Sequence, residues 1–223
     1  MSARRGPDPV SGRRAVVSIA LQIAFGCAFA CAASKPPLVD FSGAPRDYRS
    51  KDYPEVYERW TRHEKVIHEV ESALEIWATY KSQDYREAFV AHYAEAYSLG
   101  ETDRARLRQS QREAAGSVYE FLITAQSANY RWNDLEKKSS PWRVTLLDGL
   151  GREMAPEELK FEKLPDIFER EFFPVKTPFT RTYLVRFART AAKEDDFAGE
   201  RSGRIILRIA GPMGRADLIW AGR

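Results

Sequence analysis

Both cysteines of this 223-residue chain, Cys27 and Cys31, lie at its N-terminal end. Whatever folds beyond them has no disulfide, no thiolate metal ligand and no cysteine nucleophile, and must be held together by packing and hydrogen bonding alone. The chain carries the material to do so. Hydrophobic residues make up 43%, and 12 Phe, 10 Tyr and 5 Trp exceed what a disordered chain holds. At this length, less an N-terminal signal, a single core is expected.

Arg13-Arg14 precede an uncharged apolar stretch from Ala15 to Ala30, and the small residues Ala28 and Ala30 stand just ahead of Cys31. A charged start, an apolar centre and an A-x-A-like end are the order of a secretory signal. The stretch, about 16 residues, is short of the ~20 that a membrane span needs. Ala28-Phe29-Ala30-Cys31, and also Ala24-Phe25-Gly26-Cys27, resemble the signal of bacterial lipoproteins, with Ala where that pattern usually has Leu and Phe in the second slot. The resemblance implies cleavage before Cys31, a lipid on its thiol, and the membrane as a partner through that anchor. Ala32-Ala33, with no acidic residue behind the cysteine, implies the outer membrane or periplasmic face of a bacterial envelope. Ordinary cleavage after Ala30 or Ala32, without lipid, is the alternative.

The formal net charge of +3 comes from Arg4, Arg5, Arg13 and Arg14 set against Asp8, so the chain without that signal is neutral. Nucleic acid loses its compositional support as a partner, because such domains present a basic excess. From 31 to 53 the chain is rich in proline, glycine and small polar residues without a period, which reads as an extended tether to a single folded domain over 54–223.

Within that domain Pro54 opens a short helix carrying Val56 and Trp60. From Glu69 to Lys81, Val70, Ser72, Leu74, Ile76, Ala78 and Tyr80 alternate with more polar neighbours, a period of two that predicts a strand. A helix continuing from Pro54 through 66–81 is the alternative. Ser82 N-caps a helix whose Tyr85, Ala88, Phe89, Tyr93 and Ala96 recur at helical spacing, and a second helix from Thr102 to Gly116 completes a helical hairpin over about 82–116. Strands are expected around Tyr119–Ala125, Trp142–Leu146 and Thr182–Phe187, with a closing hairpin of Arg204–Ala210 and Ala216–Trp220; Phe161 and Leu164 mark a further candidate. The fold class is therefore α+β and mainly β, an antiparallel β-sandwich with an inserted helical hairpin and an immunoglobulin-like arrangement as one form of it.

Catalytic motifs are few. His63, His68 and His92 are not spaced to share one helix face, and His63-Glu64 lacks the continuation of a zinc helix. No G-x-S-x-G stands in the chain, and Gly149-Leu150-Gly151 reads as a tight turn rather than a phosphate loop. Carboxylate groups occur at Glu157-Glu158, Glu169 with Glu171, and Glu194-Asp195-Asp196; acid–base chemistry would need two of them facing across a cleft. Arg104, Arg108 and Arg112 share one face of the second hairpin helix beside Arg106, a candidate surface for anionic headgroups or a solvated face balanced by Asp103 and Glu113. Trp60, Trp77, Trp132, Trp142 and Trp220 are core at these periods, or a ligand groove. No catalytic, cofactor or metal residue is assigned, and Cys31 is the one assigned site, for lipid. These features suit a non-enzymatic binding or assembly module of the cell envelope, against a carboxylate-dependent enzyme acting on an envelope polymer, or a soluble periplasmic structural protein.

Overall fold

Gly211 stands where the last hairpin passes beneath the chain at Pro141, so closely that a Cβ there would overlap the Pro141 carbonyl oxygen. That contact lies between neighbouring strands of one sheet, in which Arg143 pairs with Ala210. A computed structural model describes residues 36–44, 46–173, 179–189, 197 and 203–223, and Cys31 with the rest of the signal lies outside them. In chain order the elements are α1 (Tyr53–Trp60), β1 (Thr61–His68), β2 (Glu71–Tyr80), α2 (Gln83–Ala96), α3 (Glu101–Ser117), β3 (Val118–Gln126), β4 (Arg143–Asp148), β5 (Glu153–Met154), β6 (Glu158–Phe161), α4 (Asp166–Phe172), β7 (Arg181–Ala188), β8 (Arg204–Gly211) and β9 (Gly214–Ala221).

The strands form a five-stranded sheet ordered β1-β2-β3-β7-β6 and a four-stranded sheet ordered β5-β4-β8-β9, antiparallel throughout. The chain is thus the expected mainly-β sandwich, with α2 and α3 inserted between β2 and β3. Its order departs from the immunoglobulin one, in which the third strand crosses to the other sheet, because β1, β2 and β3 run as a meander. The period-two residues meet in the middle: Phe121 lies 5.4 Å from Trp220 and Tyr80 6.2 Å from it, ring centroid to centroid. Ile76, Ile123, Val185, Ile205, Leu207 and Leu218 are fully buried beside them. Each such side chain contributes about 1.5–3 kcal/mol by leaving water, which is how a chain without disulfides holds. Among the described residues no helix is long and apolar enough to cross a membrane.

Three sequence expectations change. Residues 36–53 are not a free tether: Val39 is fully buried, donates its N–H to the Ala221 carbonyl (2.8 Å) and accepts from Arg223 (3.0 Å), forming a parallel bridge beside β9. Phe41, two residues on, packs edge-on against Trp60 at 6.0 Å. The helix opened by Pro54 stops at Trp60, and a strand follows at once. That strand, β1, hides from a hydropathy reading because only Arg62 and Val66 of its eight residues are buried. The helical reading of 66–81 falls with it, since β1 and β2 pair over that span. Finally, Leu164 belongs to no strand; β6 ends at Phe161 and α4 follows.

Arg62 explains how a polar strand can line a core. Its guanidinium donates to the carbonyls of Ile219 (2.7 Å), Arg59, Thr61 and Pro37 (each 2.8 Å), stitching β9, α1 and the N-terminal segment together. Burial pulls its pKa down to about 10, still charged at neutral pH. Gly211→Ala should cost about 3 kcal/mol, because neither the Pro141 backbone nor β8 can retreat without opening the core. Urea denaturation measures it, and an unchanged midpoint would show that this close approach is not needed.

Candidate functional site

Helix α1 presents Tyr53 and Tyr57 on one face, four residues apart, and those rings wall an open cleft of about 410 Å³. Glu58, Thr61 and His63 continue that wall, while His92 of α2 and Glu171 of α4 face it. The cleft exists because α4 is locked onto α1 and α2 by aromatic packing: Phe172 meets Tyr53 at 5.8 Å, Phe89 at 5.3 Å and Tyr93 at 5.8 Å. Tyr53 is pinned further. Its hydroxyl donates to the Phe172 carbonyl and meets the Tyr85 hydroxyl, each at 2.8 Å. Burial, with Tyr85 beside it, holds the Tyr53 phenol well above its usual pKa, so it stays neutral and serves as a wall.

Two imidazoles border the cleft, each stacked on an aromatic ring and paired with a carboxylate. His92 lies parallel to Tyr53 at 4.7 Å and edge-on to Phe172 at 5.0 Å. Its Nε2 is 3.0 Å from Glu171 Oε1, and its Nδ1 is 2.8 Å from Ser50 Oγ. His63 stacks on Trp77 at 4.6 Å, with Nε2 at 3.0 Å from Glu75 Oε1. Glu75 would be raised by burial, but hydrogen bonds from Gln126, His63 and Lys65 outweigh that and hold its carboxyl below the usual range. Aromatic walls with a few fixed polar groups at the mouth are the usual make-up of a ligand pocket.

The sequence candidates fall mostly elsewhere. Cys31 and the acidic run Glu194-Asp195-Asp196 lie outside the described residues. Glu158 is taken up by Arg186 (2.7 Å) and Lys160 (3.2 Å). Of the carboxylates weighed, Glu171 lines this cleft, and Glu58, which no motif marks, lines it too. The arginine face of α3 is turned partly inward: Arg112 and Arg108 reach the buried Glu87 of α2 at 2.6 and 3.2 Å, so it is not a free basic surface. Trp60, Trp142 and Trp220 are core. Nothing local in the sequence marks Ser50, Tyr53 and Tyr57, which sit in or next to a segment that reads as linker.

No protein-family model matches the chain, and none of the curated proteins matches it. Among solved structures it is similar to a novel protein of unknown function from Burkholderia pseudomallei, 12% identical, with a TM-score of 0.38 over 76% of this chain and 83% of that one.

Proposed function

We propose that the protein is an exported lipoprotein of the bacterial cell envelope, held to the membrane through Cys31, whose sandwich is a binding or assembly module. The observation that carries the binding role is the cleft walled by Tyr53 and Tyr57. Its tyrosine rings suit an apolar or aromatic group, and the carboxylates of Glu58 and Glu171 on the same cleft favour a basic group next to it. The partner is accordingly an envelope protein or polymer segment with that pairing. Support for the address is the order Arg13-Arg14, apolar stretch, small residues and Cys31. One lipid chain gives marginal membrane binding and several give stable anchoring.

Two measurements test the reading separately. Cells fed a palmitate analogue should label the wild-type protein and not Cys31→Ser; equal labelling of both, or none, defeats the anchor. Partners that co-purify with the membrane-extracted protein should be lost in Glu58→Lys at unchanged melting temperature, because the exposed Glu58 side chain lines the cleft without packing in the core. Retention of every partner by that variant would remove the cleft from the binding role.

A further inference from the structure

Ser50 opens a short 3-10 turn, Ser50–Asp52, that leads into α1. Its hydroxyl and the Glu171 carboxylate engage opposite nitrogens of the His92 ring, at 2.8 and 3.0 Å. A carboxylate only accepts hydrogen bonds, so in the neutral ring the proton resides on Nε2, facing Glu171. That leaves the Nδ1 lone pair to accept from the Ser50 hydroxyl. A serine donating to an imidazole whose far nitrogen is fixed by a carboxylate is the arrangement that activates a nucleophile. Here the two ring nitrogens exchange the roles they have in serine proteases. The Tyr53 stack and the Phe172 edge keep the ring from turning away.

Ser50 also lines a second cleft, of about 490 Å³, which shares no lining residue with the tyrosine-walled one. Arg49, Ser98 and Arg104 line it too, and Arg104 Nε is enclosed there without a hydrogen-bond partner among the described residues. An enclosed donor with nothing to bond is unfavourable until water or a ligand in the cleft supplies the acceptor, and an anionic group is the strongest such acceptor.

We propose that Ser50 is the nucleophile of an acyl-transfer site for small carboxylic esters that carry a negative charge. Ser50 Oγ attacks the ester carbonyl carbon, and its proton passes to His92 Nδ1, giving an imidazolium held by Glu171. The carbon–oxygen bond to the alcohol breaks, the alcohol leaves with the proton from Nδ1, and an acyl-Ser50 remains. Water, deprotonated by the same Nδ1, then releases the acid and restores the serine. Arg104 receives the substrate's anionic group. Glu171 is a positioning residue, acting through His92. This activity does not need the proposed anchor, and Cys31→Ser protein should retain it.

The test is incubation of the purified protein with a fluorophosphonate, which phosphonylates an activated serine with loss of fluoride. An adduct should map to Ser50 by mass spectrometry, and disappear in Ser50→Ala and in His92→Gln. Hydrolysis of 4-nitrophenyl hemisuccinate should exceed that of the uncharged 4-nitrophenyl acetate, and Arg104→Gln should abolish the preference. Glu171→Gln should lower kcat about 100-fold with KM unchanged, as loss of imidazolium stabilisation requires and loss of packing would not produce. No adduct at Ser50 in the folded wild-type protein overturns the proposal, as does a Ser50 adduct that forms equally fast in His92→Gln.

Discussion

Glu120→Gln is expected to lower stability by about 3 kcal/mol at neutral pH, roughly a 10 °C fall in melting temperature for a chain of this size, and to cost progressively less below pH 4.5. Glu120 lies in β3 beneath the helical hairpin, with its side chain 3% exposed. It holds three cations at once: Lys81, Arg86 at 3.3 Å and Arg186 at 2.7 Å. Burial alone would raise its pKa, but the Lys81 and Arg86 charges, with hydrogen bonds from Lys81 and Arg186, hold it at about 2. A carboxyl depressed in the folded state stabilises the fold above its unfolded pKa. That contribution is therefore fully present above about 4.5 and is lost as pH falls toward 2. Urea denaturation of both proteins at pH 7 and pH 3 reads it directly. A difference that stays constant between those pH values, or one below about 1 kcal/mol at pH 7, would show that the carboxylate is not the keystone of this cluster.

The same cluster makes its members unequal. Lys81 is desolvated and crowded by Arg86 and Arg186, and these together outweigh its attraction to Glu120, so its pKa falls. Lys81 touches Glu120 closely but is desolvated beside two other cations, and Lys81→Met should cost clearly less than Glu120→Gln. The asymmetry follows from geometry: Arg86 also donates to the Lys81 carbonyl (2.8 Å) and to Gln111 (2.6 Å), and Arg186 to Glu158 (2.7 Å), so both remain partnered.

These buried charges also mark where the sequence stopped being readable. Strands β3, β4, β7, β8 and β9 and the β2 alternation are legible because their inward residues are apolar and β-branched or aromatic; β9 alternates in burial, whereas β3 is buried on both faces from Tyr119 to Ala125. Helix α2 is legible at its start, where Tyr85 donates its N–H to the Ser82 side chain (3.1 Å). Its interior misleads, since Asp84, Arg86 and Glu87 look like a solvated turn and are buried. Each is matched by a charge or donor far away in sequence, which no local pattern records. Strand β1 fails for the same reason, because Arg62 takes an inward position that hydropathy assigns to water. The candidate site is the extreme case. Ser50, His92 and Glu171 come from a linker-like segment and two separate helices, brought together by the packing of Phe172 and the Tyr53 hydrogen bond to its carbonyl. A search for histidine partners at helical spacing along one segment could not find them.

Asp84→Ala joins the two levels, and its expected effect is as large. Asp84 sits in the first turn of α2, and its Oδ1 accepts from the Tyr48 hydroxyl at 2.5 Å. Its Oδ2 accepts from Trp60 Nε1 at 2.9 Å and from Arg59 at 3.3 Å, and Arg46 stands 3.5 Å from Oδ1. Removing the carboxylate strands the Trp60 indole N–H in a fully buried position, and takes away the main acceptor of Tyr48; Arg59 keeps Glu55 at 2.7 Å. A loss of about 3 kcal/mol follows from leaving buried donors without an acceptor. The distinctive result lies in where the protein loosens. Tyr48 is two residues from Ser50, so the segment 46–52 loses its hold on α2, limited proteolysis should cut there first, and fluorophosphonate labelling of Ser50 should fall although Asp84 does not touch it. Asp84→Asn keeps one acceptor and should fall between the two. A cleavage pattern identical to wild type, together with an unfolding midpoint within experimental error of it, would mean that Val39 and its bridge to β9 hold the N-terminal segment without Asp84.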